Sequence, residues 1–135
     1  MFTSDYIKDF DKWNELKKNV DKENISSIFR SGEIRWVVLG VNVGSEIDGK
    51  GDSFNRPCII VDSFSDKLVL VFPMSTKLKN TAGYIEIKLQ DGRKVSVCIH
   101  QAKVVSPKRI LKRITTISND KVKELKEAYK KFYHL

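Results

Sequence analysis

Along residues 3–20, Tyr6, Ile7, Phe10, Trp13, Leu16 and Val20 recur at spacings of three and four, which predicts a helix with one apolar face. Thr3 or Ser4 is the expected N-cap, with Asp5 in the first turn. The stretch DKENISSIFRSG that follows is polar around Ile25, Ile28 and Phe29, so it reads as a connector or a short second helix ending at Gly32. From Glu33 the period changes to two. EIRWVVLGV (33–41), PCIIVDS (57–63) and KLVLVFPM (67–74) are rich in β-branched and aromatic residues, and the last two form a hairpin across a Ser-Asp turn. YIEIKL (84–89) and KVSVCIH (94–100) alternate apolar and polar positions on either side of Asp91-Gly92, a dipeptide suited to a tight hairpin turn. QAKVVS (101–106) continues as β until Pro107 breaks it, and the short stretch ILKRITTIS leads to the last element. There Ser118 or Asn119 caps a helix whose Val122, Leu125, Tyr129 and Phe132 line one side, opposite a lysine face.

Strands that outnumber helices and are joined by hairpins predict an α+β, mainly β fold. The expected form is a small, strongly bent antiparallel sheet or partly open barrel of five to seven short strands, closed by a C-terminal helix and preceded by a helical extension. One long gap separates the strands, NVGSEIDGKGDSFNR (42–56). A connection of that length in a compact domain is usually functional or mobile. Gly44, Gly49 and Gly51 within it, and Gly40 just before it, suggest a mobile loop that covers a site.

The length of 135 residues suits one domain, and 41% apolar with 31% charged residues suffices for a core. No apolar run reaches the ~18 residues of a membrane span, and the charged start MFTSDYIKDFDKW is unlike a signal peptide. The expectation is a soluble, cytoplasmic protein with no membrane role. Cys58 and Cys98 lie inside apolar β-like runs and read as buried free thiols. With two histidines, His100 and His134, a structural metal site is not expected, and neither is a cofactor. The net charge of +8 is uneven, because residues 103–135 hold ten Lys/Arg against three Asp/Glu whereas residues 1–28 hold five against six. Such a basic surface points to a polyanion, most often nucleic acid (RNA or DNA), or to an acidic protein segment. The near balance of charge over residues 1–28 points away from an RNA role for the extension, which is expected to pack on the barrel or to extend a dimer.

In order along the chain, GEIRWVVLG (32–40), GSE (44–46), RPCIIV (56–61), VFPMST (71–76), Gln101-Ala102-Lys103 and ISNDKVKELKEAYKKF (117–132) resemble the PemK/MazF-like toxins of type II toxin–antitoxin systems. The resemblance covers about residues 29–135, leaving 1–28 as an N-terminal helical extension to a barrel domain over 29–135. It implies an SH3-like barrel that forms a homodimer, cleaves single-stranded RNA at a short sequence without metal, and is neutralised by an acidic, partly disordered antitoxin. It also implies that Arg56 and Thr76 are the catalytic pair and that Gln101 and Lys103 lie along the RNA groove. Lys77 and Lys79 are expected near the same groove.

The chemistry of these residue types agrees. Cleavage by the ribose 2′-OH needs a proton acceptor, stabilisation of the phosphorane charge, and a proton for the departing 5′-oxygen. Arginine offers a planar fork of donors matched to phosphate oxygens, but its proton is held too tightly for acid–base work. Arg56 therefore suits electrostatic stabilisation, with hydroxyl donation from Thr76 and from Ser75 beside it. Read alone, Arg-Pro at a strand start is an ordinary loop arginine and Ser-Thr before a lysine an ordinary turn; their joint placement carries the functional reading. His100 is a second candidate because imidazole titrates in the range suited to proton transfer, or else a half-buried polar residue. Trp36 reads as core, or as an aromatic that stacks on a base. Glu46 is expected to order the loop by pairing with Arg56 or another cation. The competing class is a non-catalytic binding module of the same fold, or a toxin acting on a protein target such as a topoisomerase.

Overall fold

The structure, a computed structural model, describes residues 6–25 and 27–135. It contains helix α1 (Phe10–Asp21), strands β1 (Glu33–Val38), β2 (Asn55–Ser63), β3 (Val69–Ser75), β4 (Tyr84–Lys88), β5 (Lys94–Cys98), β6 (Lys103–Val105) and β7 (Ile110–Thr116), and helix α2 (Asn119–Tyr133). The seven strands form one antiparallel sheet, six of them in the order β4-β5-β3-β2-β1-β7, with β6 off this path beside β3. Strand β3 shares one edge between two partners: Val69, Leu70 and Val71 pair with β6, and Met74 and Ser75 pair with β5. This split bends the sheet into a partly open barrel and agrees with the expected mainly β architecture.

Period-two alternation divides the core between the two faces of the central strands. Ile59 and Val61 of β2 pack with Phe72, Met74, Val97 and Leu125 on one face. Cys58 and Ile60 pack with Val37, Val71, Val105 and Ile110 on the other. All four β2 side chains are buried, which explains why that strand reads as a continuous apolar run instead of alternating. On the first face, α2 lays Leu125 into the cluster and Tyr129 against Phe72, with ring centroids 5.7 Å apart. Ser118 caps that helix by accepting a hydrogen bond from the Lys121 N–H.

Two local expectations come out differently, and an open alternative is settled. Helix α1 begins at Phe10 with Asp9 as its cap, whose carboxylate accepts from the Lys12 N–H; Tyr6 and Ile7 precede it outside the helix. The expected caps Thr3 and Ser4, with Asp5, lie outside the described residues. The segment after α1 is a connector without helix among its described residues, and the Gly32 N–H reaches the Ile60 carbonyl at 2.8 Å. Residues 110–116, expected only as a link, are a full strand paired with β1.

Helix α1 docks through Trp13, which is 6% exposed among Val38, Val41 and Phe54. Gly40 makes this possible. A Cβ there would lie 2.3 Å from the indole, and its φ of +79° favours glycine as well. The Arg109 guanidinium lies over the same indole and donates to the Val38 carbonyl, while the Lys108 amine donates to the Asp21 carbonyl at the end of the helix. Removing a buried indole of this kind costs about 3–5 kcal/mol.

Candidate functional site

Arg56 is the second residue of β2 and pairs with Val37 across the ladder. Its side chain is half-buried and held on two backbone carbonyls: Nε donates to Asp48 at 2.9 Å, and a terminal nitrogen donates to Met74 at 3.2 Å. These bonds tie β2 to loop 42–54 and to β3, and they fix the plane of the guanidinium while leaving other N–H groups available. Thr76 follows the last residue of β3 and is exposed. Ser75 is buried, and its hydroxyl accepts from the Lys77 N–H at 3.2 Å; the fully buried Ser96 hydroxyl accepts from the Lys79 N–H at 2.8 Å. The two serines pair across β3 and β5 and so hold the backbone that carries both lysines.

Arg56 stands between two hollows. The larger, about 770 Å³, is lined by Lys50, Arg56, Ser75, Lys77, Lys79 and Gln101, with Tyr6, Ile7, Asp48 and Tyr84 completing much of its wall. The smaller, about 320 Å³, is lined by Trp36, Arg56, Pro57 and Thr76. Trp36 is therefore not a core residue. Its strand neighbours Ile34 and Val38 are covered by the clusters that receive α2 and α1, and Trp36 between them is 38% exposed.

Four cations converge on this ground. The Lys50 amine is held below its ordinary pKa first by the positive charge of Arg56, then by burial, Lys77 and Lys79. Among the described residues no carboxylate forms an ion pair with Lys50, Lys77 or Lys79. Asp9, Asp48 and Asp52 share the wall, with Asp48 and Asp52 paired to Lys8 and Lys12, so the positive charge around Arg56 stays in local excess, as an anion site requires.

Gln101 has a different role from direct groove contact alone. Its side-chain oxygen accepts from the Ile47 N–H at 2.6 Å and its amide donates to the Ser45 carbonyl at 3.1 Å, so it clamps the loop. Asp48 accepts from the Asn42 N–H at 2.6 Å, and Gly49 donates to the Gly40 carbonyl at 2.8 Å. Loop 42–54 is thus bonded along most of its length, unlike the unconstrained loop that its glycines suggest. Gly49 serves a close approach, since a Cβ there would lie 1.8 Å from the Phe54 carbonyl oxygen.

The remaining candidates lie apart. Glu46 accepts from the Val43 N–H and orders a turn within the loop; Arg56 bonds to Asp48 instead. Lys103 is half-buried on β6, its pKa lowered by burial and then by Arg109, and lines neither hollow. His100 also lines neither: its Nδ1 lies 3.0 Å from the Gly83 carbonyl, and its ring packs on Tyr84 and Phe132. Cys58 and Cys98 are buried free thiols whose pKa values are raised by burial. Among the described residues, no three His, Cys, Asp or Glu side chains converge to hold a metal ion, and no helix is long and apolar enough to cross a membrane. Asp48, Lys50 and Tyr6 are the site residues that sequence reading passed over. The only signal was the placement of Asp48 and Lys50 around Gly49 in the long loop.

Comparison with known proteins gives a consistent result. No curated protein matches the sequence. Among solved structures, the Mycobacterium tuberculosis toxin MazF-mt6 superposes with a TM-score of 0.55 at 15% identity, covering 76% of this chain and 97% of its own. MazF from Deinococcus radiodurans gives 0.64 at 13% identity, covering 81% of this chain and 99% of its own. An endoribonuclease in complex with its cognate antitoxin, from a mycobacterial species, gives 0.59 at 11% identity, covering 80% and 97%. These likenesses establish the fold. Residues 30–133 match the family described as PemK-like, MazF-like toxin of type II toxin–antitoxin system. That match takes in every strand of the sheet and helix α2, with Arg56 and Thr76 among them, and the chain belongs to this family of toxins.

Proposed function

We propose that this toxin is a metal-independent endoribonuclease that cuts single-stranded RNA in the cytoplasm at a short sequence. The observation that carries the reading is the convergence of Lys50, Arg56, Lys77 and Lys79 around one hollow, with Arg56 already oriented by two carbonyls. Family membership supports it, as does the endoribonuclease among the fold relatives.

In the reaction, the ribose 2′-oxygen bonds to the adjacent phosphorus, the bond from phosphorus to the 5′-oxygen breaks, and the products are a 2′,3′-cyclic phosphate and a 5′-OH. Negative charge grows on the non-bridging oxygens in between. The free N–H groups of Arg56 stabilise that charge, and Thr76, exposed in the adjoining hollow, donates its hydroxyl. Water at this open site takes the proton of the 2′-OH and supplies one to the 5′-oxygen. DNA lacks the nucleophile, so it would occupy the cationic hollow uncut. The reading extends to a homodimer and to an acidic antitoxin peptide that fills the same cationic ground by folding on binding; a fold relative solved with its antitoxin supports the latter.

The test is incubation of the pure protein with mixed RNA in EDTA, followed by mapping of new 5′ ends. Cleavage with 5′-OH ends at one short sequence is expected. Binding without cleavage would favour the non-catalytic module, and complete dependence on magnesium would overturn the mechanism.

A further inference from the structure

The extension before residue 30 lies outside the family match, yet one of its side chains reaches into the loop that holds Arg56. Lys8 is half-buried. Its amine donates to the Asn42 and Gly44 carbonyls at 2.6 and 2.9 Å and lies 3.7 Å from Asp48 Oδ2, so one cation spans both limbs of loop 42–54. Asp48 is the joint. Its carboxylate also accepts from the Asn42 N–H at 2.6 Å and from the Tyr6 hydroxyl at 2.8 Å, while its backbone carbonyl accepts from Arg56 Nε at 2.9 Å. The place of Lys8 beside the loop is fixed by α1, whose Trp13 packs with Val38, Val41 and Phe54 and whose Lys12 pairs with Asp52 at 2.8 Å. Ile7 and Asp9 line the larger hollow but Lys8 does not, so a strand lying in the hollow meets the loop and not this amine.

A cation at this joint does two things. It gathers oxygens from both limbs of the loop, which restricts where the Asp48 carbonyl can stand. It also engages the negative charge of Asp48, so that Arg56 meets only the carbonyl of that residue and keeps its other N–H groups. A carboxylate released from Lys8 would be drawn to the guanidinium as an ion pair and would occupy the donors that phosphate requires. We infer that Lys8 is a positioning residue for the RNA site, holding Arg56 in line with the phosphate through Asp48 without touching the substrate. The inference rests on the RNA reading above. It agrees with the near-balanced charge of the extension, since this lysine is engaged by the loop and adds nothing to the cationic ground.

The test uses the full chain with Lys8→Met, which keeps the length and apolar stem of the side chain and removes its charge and donors. Single-turnover cutting at saturating protein is compared with affinity for an oligonucleotide of the mapped cut sequence made uncleavable by 2′-O-methyl groups, and exchange of the Arg56 Nε–H with solvent is followed by NMR. Lys8→Met is expected to cut at least ~10-fold more slowly, as a small misplacement of a catalytic group does, with affinity within about twofold of the parent because no phosphate contact is lost. Its Arg56 Nε–H should exchange faster, since the bond to Asp48 opens more often. In an Arg56→Lys background the same substitution should slow cutting less than about twofold, because the group it aligns is gone. Lys8→Gln, which keeps a donor but no charge, covers the case of a Lys8→Met protein that fails to fold and should move rate and exchange in the same direction. A parental cutting rate or parental Nε–H exchange in these variants would overturn the inference and leave the RNA reading intact. Equal slowing in both backgrounds would overturn it too, because Lys8 would then act apart from Arg56, as would a loss confined to affinity, which would make Lys8 a phosphate contact. A parent that neither binds nor cuts RNA would overturn the RNA reading and the inference together.

Discussion

Replacing Arg56 by alanine removes two things that the structure allows to be weighed separately. The first is mechanical: two charge-assisted hydrogen bonds, at 2.9 Å to the Asp48 carbonyl and 3.2 Å to the Met74 carbonyl. Bonds of this class are worth at most about 1.5–3 kcal/mol each, and less here because the side chain is only half-buried. The loop keeps its bonds from Asn42 to Asp48 and from Ile47 to Gln101, so the fold is expected to survive. The second is chemical. Loss of one preorganised donor to a developing oxyanion costs about 100-fold or more in rate, close to 2.7 kcal/mol. Arg56→Ala should therefore cut at least ~100-fold more slowly in single-turnover assays in EDTA, with its urea unfolding midpoint lowered only modestly. Arg56→Lys keeps the charge but not the fork: an amine with three N–H donors that held both carbonyls would have one left for phosphate, where the guanidinium has three. It should bind an uncleavable RNA nearly as well as the parent and still cut at least ~10-fold more slowly. An Arg56→Ala rate within about threefold of the parent, or full recovery in Arg56→Lys, would refute the role given to Arg56.

Charge reversal at Lys77 or Lys79, which line the hollow, should weaken RNA binding and flatten its salt dependence more than reversal at Lys126 or Lys130 on α2; a larger effect from the helix lysines would show that the groove is elsewhere. Arg56 and its neighbours lower the Lys50 pKa from 10.5, and a bound phosphate, favouring the charged amine, raises it again. Binding of 2′-O-methyl RNA should therefore take up a proton in the alkaline range below 10.5, and affinity should fall as pH rises through that range; calorimetry in buffers of different ionisation heat detects the uptake, and Lys50→Gln should abolish it. Gly40→Ala forces a Cβ into the Trp13 indole and should lower stability by roughly 2 kcal/mol or more, whereas an unchanged urea midpoint would mean that α1 is not held against Gly40.

The elements legible in the chain are those specified by neighbouring residues. Asp91-Gly92 makes the β4–β5 hairpin because the Asp91 carboxylate caps the Arg93 N–H and Gly92 takes a φ of +90°, all within a few residues. Ser118 starts α2 for the same reason. Strand β7 was not legible: Lys112 and Arg113 interrupt its alternation, and what makes it a strand is pairing with β1, about 80 positions earlier in the chain. Trp36 misleads because its residue type suits a core, while its exposure depends on where two distant helices stop covering β1.

That Arg56 and Thr76 line one hollow fits what the family resemblance implied, and each stands at or next to a strand end that local propensity defines. The candidate cation site was not legible in this way. Its four charges come from the loop, β2 and the segment after β3, whereas the greatest sequence concentration of positive charge lies in residues 103–135. Net charge along a chain records how many cations there are, but not which of them lose their counter-charges when the chain closes up. The sequence alone determined the strand alternation, the hairpins and the capped C-terminal helix, and it supplied the residue types of the candidate site. Only the tertiary structure decided that Lys50 and Asp48 of the folded-back loop face Arg56, and that the extension walls the hollow, because the loop is held in place by Gln101 and the extension reaches it across about 40 residues, an approach that depends on the packing of Trp13 against Gly40.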